Sequence, residues 1–201
     1  VSDDDVSLAW EVAARSGDDL DQVALDPTGA RAVLVWNTDG RSELELIDLR
    51  DGIASPVSDP PGDVVTGLAF TRDGDALLVA SEGPTLPSMI ARIALDVPLA
   101  EPSLLVGDSL EPFDELVDPT LHEFRAEDGL VLTGWLFRPR TGYGAAPTLI
   151  WLHGGPEAQE RPIFQPLFQA LVAAGVSVES AGPRRRLEDA FLQLVGEDTT
   201  P

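Results

Sequence analysis

Pro147-Thr148-Leu149-Ile150-Trp151-Leu152-His153-Gly154-Gly155-Pro156 decides how this 201-residue chain is read. Pro147 to Leu152 is a short, almost wholly apolar run, the composition of a strand buried on both faces of an α/β sheet. It stops at His153-Gly154-Gly155-Pro156. From Ile163 to Ala174, apolar Ile163, Phe164, Leu167, Phe168, Leu171 and Val172 recur at three- and four-residue intervals, which predicts a helix. Gly175 ends that helix as a C-cap, and Val176-Ser177-Val178 reads as the next strand. Strand, loop, helix, strand in this order is one crossover unit of an α/β sheet. Just upstream, Leu121–Arg125 and Leu130–Phe137 read as two strands around the turn Glu127-Asp128-Gly129, followed by a polar loop from Arg138 to Ala146.

An apolar strand ending in His-Gly-Gly ahead of a helix is similar to the oxyanion loop of α/β-hydrolases. Acyl transfer places negative charge on a carbonyl oxygen, and preorganised backbone N–H groups stabilise it. Glycine suits such a loop because a side chain would block the approach of substrate. Pro156 has no N–H and cannot donate; it stiffens the turn. The tetrapeptide alone reads equally well as an ordinary Gly-Gly-Pro loop.

Residues 20–118 have a different texture, and they repeat. Val23-Ala24-Leu25 runs into Asp26-Pro27-Thr28-Gly29 and then apolar Ala32–Trp36; Leu68-Ala69-Phe70 runs into Thr71-Arg72-Asp73-Gly74 and then Ala76–Ala80. The turn glycines Gly29 and Gly74 lie 45 residues apart. Asp-Pro-Thr-Gly suits a type I turn, with Pro fixing φ at its second position and Gly closing it. Asn37-Thr38-Asp39-Gly40 reads as the next hairpin turn, before a strand over Leu44–Leu49. In the second unit the corresponding hairpin loop reads as longer, Glu82 to Ser88, with a third strand from Met89 to Leu95. Three or four short strands per period of about 45 residues is the arithmetic of a β-propeller blade. The alternative is a pair of unrelated hairpins in a β-sandwich. Residues 1–20 would be the last strands of a preceding blade, giving about two and a half blades where a closed propeller has four to eight.

Phe124, Asp128-Gly129, Leu132-Thr133-Gly134-Trp135-Leu136, Pro139, the apolar strand and His153-Gly154-Gly155-Pro156-Glu157 together resemble the entry into the hydrolase domain of the prolyl oligopeptidase family, in particular its acylaminoacyl-peptidase and dipeptidyl-peptidase branch. The resemblance spans residues 20 to about 178. It implies a mixed fold: a partial β-propeller over residues 1–118, then the truncated N-terminal part of an α/β-hydrolase domain over 119–201. It also implies that the backbone N–H of Gly155 is one oxyanion donor, that His153, Gly154 and Pro156 shape the loop, and that His153 is not the triad histidine. In the family the propeller restricts access, so that mainly short peptides reach the active site.

The departures bear on activity. The family's Gly-x-Ser-x-Gly nucleophile elbow, and the Asp and His that follow it, have no counterpart here. Gly175-Val176-Ser177-Val178-Glu179 lacks the closing Gly and places Ser177 in a predicted strand, so it is not read as a nucleophile. His122 reads as a hairpin surface histidine, and Glu157 as either a loop carboxylate or a rim contact. Beyond Val178 the family's Gly-rich loop is replaced by Glu179 to Arg186, whose three Arg read as a solvated turn; Leu187, Phe191 and Leu194 would share one face of an amphipathic helix. An α/β-hydrolase domain needs about 200 residues, and 83 remain from position 119 onward. The chain, opening at Val1, reads as a piece of something longer, with open sheet edges suited to self-association.

Composition narrows the classes further. Thirteen Arg and no Lys stand against 21 Asp and 14 Glu, a net charge of −22 that repels phosphate backbones and excludes nucleic acid as an expected partner. A hydrophobic content of 43% argues for a packed core over disorder. No Cys and two His leave no Cys-based redox or metal site and no His cage for zinc, so neither metal nor cofactor is expected. No apolar run reaches the length of a membrane helix, and the N-terminus lacks a signal pattern; with the absence of Cys, this makes the cytoplasm the expected compartment. Three functions follow: a segment of a serine peptidase acting on short peptides through an acyl-enzyme and inactive alone, a segment of an esterase-type α/β-hydrolase, or a non-catalytic binding module built on TolB-like propeller repeats.

Overall fold

In a computed structural model, residues 15–140, 147–154 and 159–183 are described, apart from the side chains of 181–183. They form three four-stranded sheets and one α-helix, and none of the sheets closes on itself. The first sheet is an antiparallel meander of β1 (Asp19–Leu25), β2 (Arg31–Thr38), β3 (Arg41–Asp48) and β4 (Ala54–Ser55). The second repeats it with β5 (Val64–Phe70), β6 (Ala76–Gly83), β7 (Leu86–Ala94) and β8 (Ser103–Val106). Residues 19 and 20 therefore belong to the first sheet and not to a preceding unit, because β1 pairs with β2 from Asp19 onward.

The repeated turns are built alike. Gly29 N–H donates to the Asp26 carbonyl and Gly74 N–H to the Thr71 carbonyl, each at 2.9 Å. Both glycines sit at positive φ, +70° and +74°, where a side chain would be strained. The buried Asp26 carboxylate accepts from Ala30 N (2.8 Å), Arg31 N (3.2 Å) and Thr28 Oγ1 (3.0 Å). Arg31 then reaches across to the second turn, its Nη2 donating to the Gly74 carbonyl at 2.6 Å. Between the two sheets lies a shared core of Val33, Val35, Leu46, Val65, Leu77, Val79 and Ile93. β2 is buried along its central six residues, which explains why Ala32–Trp36 is an unbroken apolar run instead of an alternating one.

The second hairpin differs from its expected form. β6 and β7 extend to Gly83 and Leu86, leaving only Pro84 and Thr85 between them, because a register shift after Ser81 lets the pairing continue. Pro84 is fully buried there.

The third sheet contains β9 (Thr120–Arg125), β10 (Val131–Phe137), β11 (Thr148–Leu152) and β12 (Ser177–Pro183), in the order β11-β12-β10-β9. β9 and β10 are antiparallel across a turn closed by Gly129 at φ +88°. β11 and β12 are parallel, joined by α1 (Pro166–Ala173), so the predicted crossover unit is present. Val178, Trp135 and Phe137 from the sheet pack against Phe168 and Val172 of the helix.

Three expectations for this part need correction. β11 is exposed along its whole length, with Ile150 at 65% and Leu152 at 69%, because it lies at the sheet edge with β12 as its one strand neighbour among the described residues. The helix begins at Pro166 and not at Ile163, since a residue preceding proline is pushed out of the α region and Gln165 is extended (φ −117°, ψ 95°). Its buried face carries Phe168, Gln169 and Val172, while Leu167 is 55% exposed. Finally, β12 does not end at Val178: it pairs with β10 as far as Pro183, so the divergent Glu179-Ser180-Ala181-Gly182-Pro183 still forms strand. The proposed helix over Leu187–Leu194, Arg184–Arg186 and residues 1–14 lie outside the described residues.

Candidate functional site

The loop after β11 opens with His153 and Gly154, both described; Gly155, Pro156 and Glu157 are not. His153 is half-buried, and its Nδ1 lies 3.4 Å from the Gly154 carbonyl oxygen. A Cβ at Gly154 would meet nothing within 4 Å among the described residues, and Gly154 is not among the glycines at positive φ. Neither packing nor backbone strain among these residues therefore demands glycine at 154.

The loop re-enters the described residues at Gln159, where it meets the first sheet. Asn37 Nδ2 donates to Gln159 Oε1 at 2.7 Å, while Asn37 Oδ1 accepts from Gly40 N at 2.9 Å, so one side chain both shapes the β2–β3 turn and contacts the loop. Glu160 faces the third sheet: its carbonyl accepts from Trp135 Nε1 (3.3 Å) and its carboxylate Oε1 from Trp151 Nε1 (2.9 Å). Arg161 turns back to the first sheet and donates to Asp21 Oδ2 (2.7 Å), the Gly40 carbonyl (2.8 Å) and Ser42 Oγ (3.0 Å). The Arg41 guanidinium stacks 5.1 Å from the Trp135 ring centroid, adding a cation–π contact at the same junction.

A second junction lies on α1. The buried Gln169 amide donates from Nε2 to the carbonyls of Pro84 (2.8 Å) and Val117 (2.9 Å), and its Oε1 accepts from Val117 N (2.8 Å). Both β-hairpin turns, at 37–40 and 84–85, thus point toward the segment that follows the His-Gly-Gly-Pro loop. Sequence reasoning missed Arg161, Gln159, Glu160 and Gln169. One signal was available: a Gln lying among apolar neighbours in a helix must find partners if it is buried.

Asp63, beside Arg41 (3.2 Å), has its carboxyl raised above the usual range by burial; Arg41 lowers it and Asp118 adds to the rise. A raised folded-state pKa means that the fold binds the proton more tightly than the unfolded chain does. Stability then falls as pH rises from the unfolded value, about 3.9, through the folded one. Asp63→Asn is accordingly expected to stabilise the chain at pH 7 by less than about 1 kcal/mol, with the gain vanishing below about pH 3.9. Urea unfolding at both pH values checks this; a loss of stability at pH 7 would mean that the Arg41 contact outweighs desolvation.

Ser177 begins β12, and its N–H donates to the Pro147 carbonyl at 2.9 Å; it sits in a strand, as expected, and not on a strand-to-helix turn. His122 lies in β9 with its Nε2 3.1 Å from Thr120 Oγ1, far in sequence from the loop. Among the described residues, no group of three or more His, Asp or Glu is placed to hold a metal ion, and no helix is long and apolar enough to cross a membrane.

No family model matches the chain. In sequence it is 27% identical over 124 residues to the uncharacterized peptidase YuxL of Bacillus subtilis (strain 168), an alignment covering 60% of this chain and 18% of that one. In structure it matches a Mycobacterium tuberculosis puromycin-hydrolyzing peptidase (TM-score 0.66, 17% identity) over 84% of this chain and 27% of that one. It matches an acylaminoacyl peptidase in complex with Z-Gly-Gly-Phe-chloromethyl ketone (TM-score 0.62, 16% identity) over 90% and 32%. A prolyl endopeptidase matches over 85% and 24%, with a TM-score of 0.61 and 21% identity. The chain spans less than a third of the length of each of these relatives. In fold over most of its length this chain resembles solved peptidases of the prolyl oligopeptidase and acylaminoacyl peptidase family, and in sequence over 60% of its length it resembles an uncharacterized peptidase.

Proposed function

We propose that the chain is a segment of a serine peptidase that hydrolyses short peptides through an acyl-enzyme. Its first two sheets are blades of a propeller gate (residues 1–118), and its third is the start of the hydrolase domain (119–201). In the longer enzyme a serine hydroxyl would attack the peptide carbonyl and lose its proton to a histidine. The amine would leave with that proton, and water would then release the acyl group. This segment would supply one oxyanion donor, the N–H of Gly155, with His153, Gly154 and Pro156 shaping the loop. It would supply no nucleophile.

The observation that carries this reading is positional. Gly154 follows the third strand of its sheet and precedes the crossover helix, the place from which an α/β-hydrolase oxyanion loop donates. Among the described residues nothing lies within 4 Å of where a Cβ at Gly154 would stand, which supports the reading. The esterase reading shares this geometry, but the contacts of the two blade-like sheets with Gln159, Arg161 and Gln169, just after the loop, favour a gated peptidase.

Activity-based labelling tests the division of labour. A fluorophosphonate probe is expected to leave the 201-residue chain unlabelled, and to label a single serine outside it in the full-length enzyme, with turnover of peptide amides. Labelling at Ser177, or turnover of esters with none of amides, would overturn the peptidase-segment reading.

A further inference from the structure

We propose that Arg161 is a positioning residue that fixes the far end of the His153-Gly154 loop to the first sheet, so that docking of the two β-sheet units sets where the loop lies. The proposal deepens the oxyanion-loop reading above and rests on it for its catalytic consequence. One guanidinium meets three acceptors from three places: Asp21 on β1, the Gly40 carbonyl in the β2–β3 turn, and Ser42 on β3. Those partners lie 119 to 140 residues away in sequence. The Arg161 and Asp21 side chains are only 18% and 12% exposed, so this is not a solvated surface pair of little consequence. Arginine is suited to the place because its rigid planar fork presents five N–H donors spread over three nitrogens, whereas a lysine ammonium carries its three donors on one nitrogen and cannot span acceptors on separate elements as well.

The anchor also reports on the second sheet. Ser42 Oγ, which accepts from Arg161, accepts from Val65 N at 2.9 Å as well, and Ser42 N donates to the Asp63 carbonyl at 2.7 Å. Both sheets therefore converge on the group that holds Arg161. From Gly154 the chain has only five residues in which to reach Gln159, roughly 17 Å when fully extended. Gln159 and Arg161 are tied to the first sheet by four hydrogen bonds, and Glu160 to the third by two. Moving this anchor moves the end of a short tether.

Hydrogen exchange on the 201-residue chain tests the anchor. Arg161→Ala and Asp21→Asn are expected to speed exchange in peptides over residues 159–165 by about tenfold, while β2 and β3 keep their protection; Arg161→Lys should recover less than half of the loss. Unchanged exchange over 159–165 would overturn the anchor, and so would loss of protection throughout β2 and β3, which would make the pair a general requirement of the fold. In the full-length enzyme, Arg161→Ala should lower kcat by about tenfold with KM held within about twofold. An unaltered kcat, beside a collapsed one in Gly155→Pro, would overturn the positioning role and leave the oxyanion reading standing. An unaltered kcat in both variants would remove the oxyanion reading too.

Discussion

Phe168→Ala is expected to destabilise the chain by about 3–5 kcal/mol, the range for emptying a buried aromatic site. Phe168 is 3% exposed and lies at the centre of the core beneath the third sheet. Its ring meets Phe137 edge-on at 5.4 Å and Trp151 edge-on at 5.6 Å, geometries worth about 0.5–1.5 kcal/mol each beyond the area they bury. Trp151 links the helix to the strand. It comes from the exposed edge strand β11 and, besides its hydrogen bond to Glu160, has Phe168 as a ring partner. Removing Phe168 therefore loosens both the helix and the strand that leads into the His153-Gly154 loop. Leu167→Ala, one residue away on the exposed side, should stay within about 0.5 kcal/mol. Urea unfolding of the two variants checks the contrast; a loss below about 1 kcal/mol for Phe168→Ala would show that the helix is held from elsewhere.

That contrast also marks what could be read from the sequence. Helical spacing between 163 and 174 identified the element but not its orientation, since Leu167 and Phe168 are equally apolar and only the sheet decides which one it covers. Gln169 turned inward because Pro84 and Val117 offer it backbone partners, and no periodicity in the helix encodes those. The 45-residue repeat was legible for the opposite reason. Asp26-Pro27-Thr28-Gly29 and Thr71-Arg72-Asp73-Gly74 form their turns with local hydrogen bonds, so the pattern and the structure coincide. β11 was misjudged because an apolar strand records the burial that suits it, whereas its exposure depends on which neighbours lie beside it.

The site shows the same division. His153-Gly154 falls after a strand and before a crossover helix, as its sequence context implied, because strand, loop and helix are contiguous in the chain. The residues that hold the loop are not contiguous. Arg161 among thirteen arginines carries no local mark, and its three acceptors become its partners only once the first and third sheets meet.

The proposed role of the loop predicts one outcome sharply. In the full-length enzyme, Gly155→Pro is expected to lower kcat by about 10²–10³, the cost of losing one oxyanion donor, about 2.7–4 kcal/mol. Proline removes the N–H and nothing charged, so ground-state binding should change little, and kcat and kcat/KM should fall together. Gly155→Ala separates the donor from the space around it: the N–H is kept and a methyl group is added, so its effect should fall mainly on KM. Hydrogen-exchange protection of β10 and β12, which form the centre of the third sheet, should be the same in both variants and the parent, tying any loss of rate to the donor rather than to the sheet behind it. A Gly155→Pro enzyme that turns over at the parental rate would mean that the charge on the tetrahedral intermediate is held by other groups, and that His153-Gly154-Gly155-Pro156 is no more than a turn between β11 and α1.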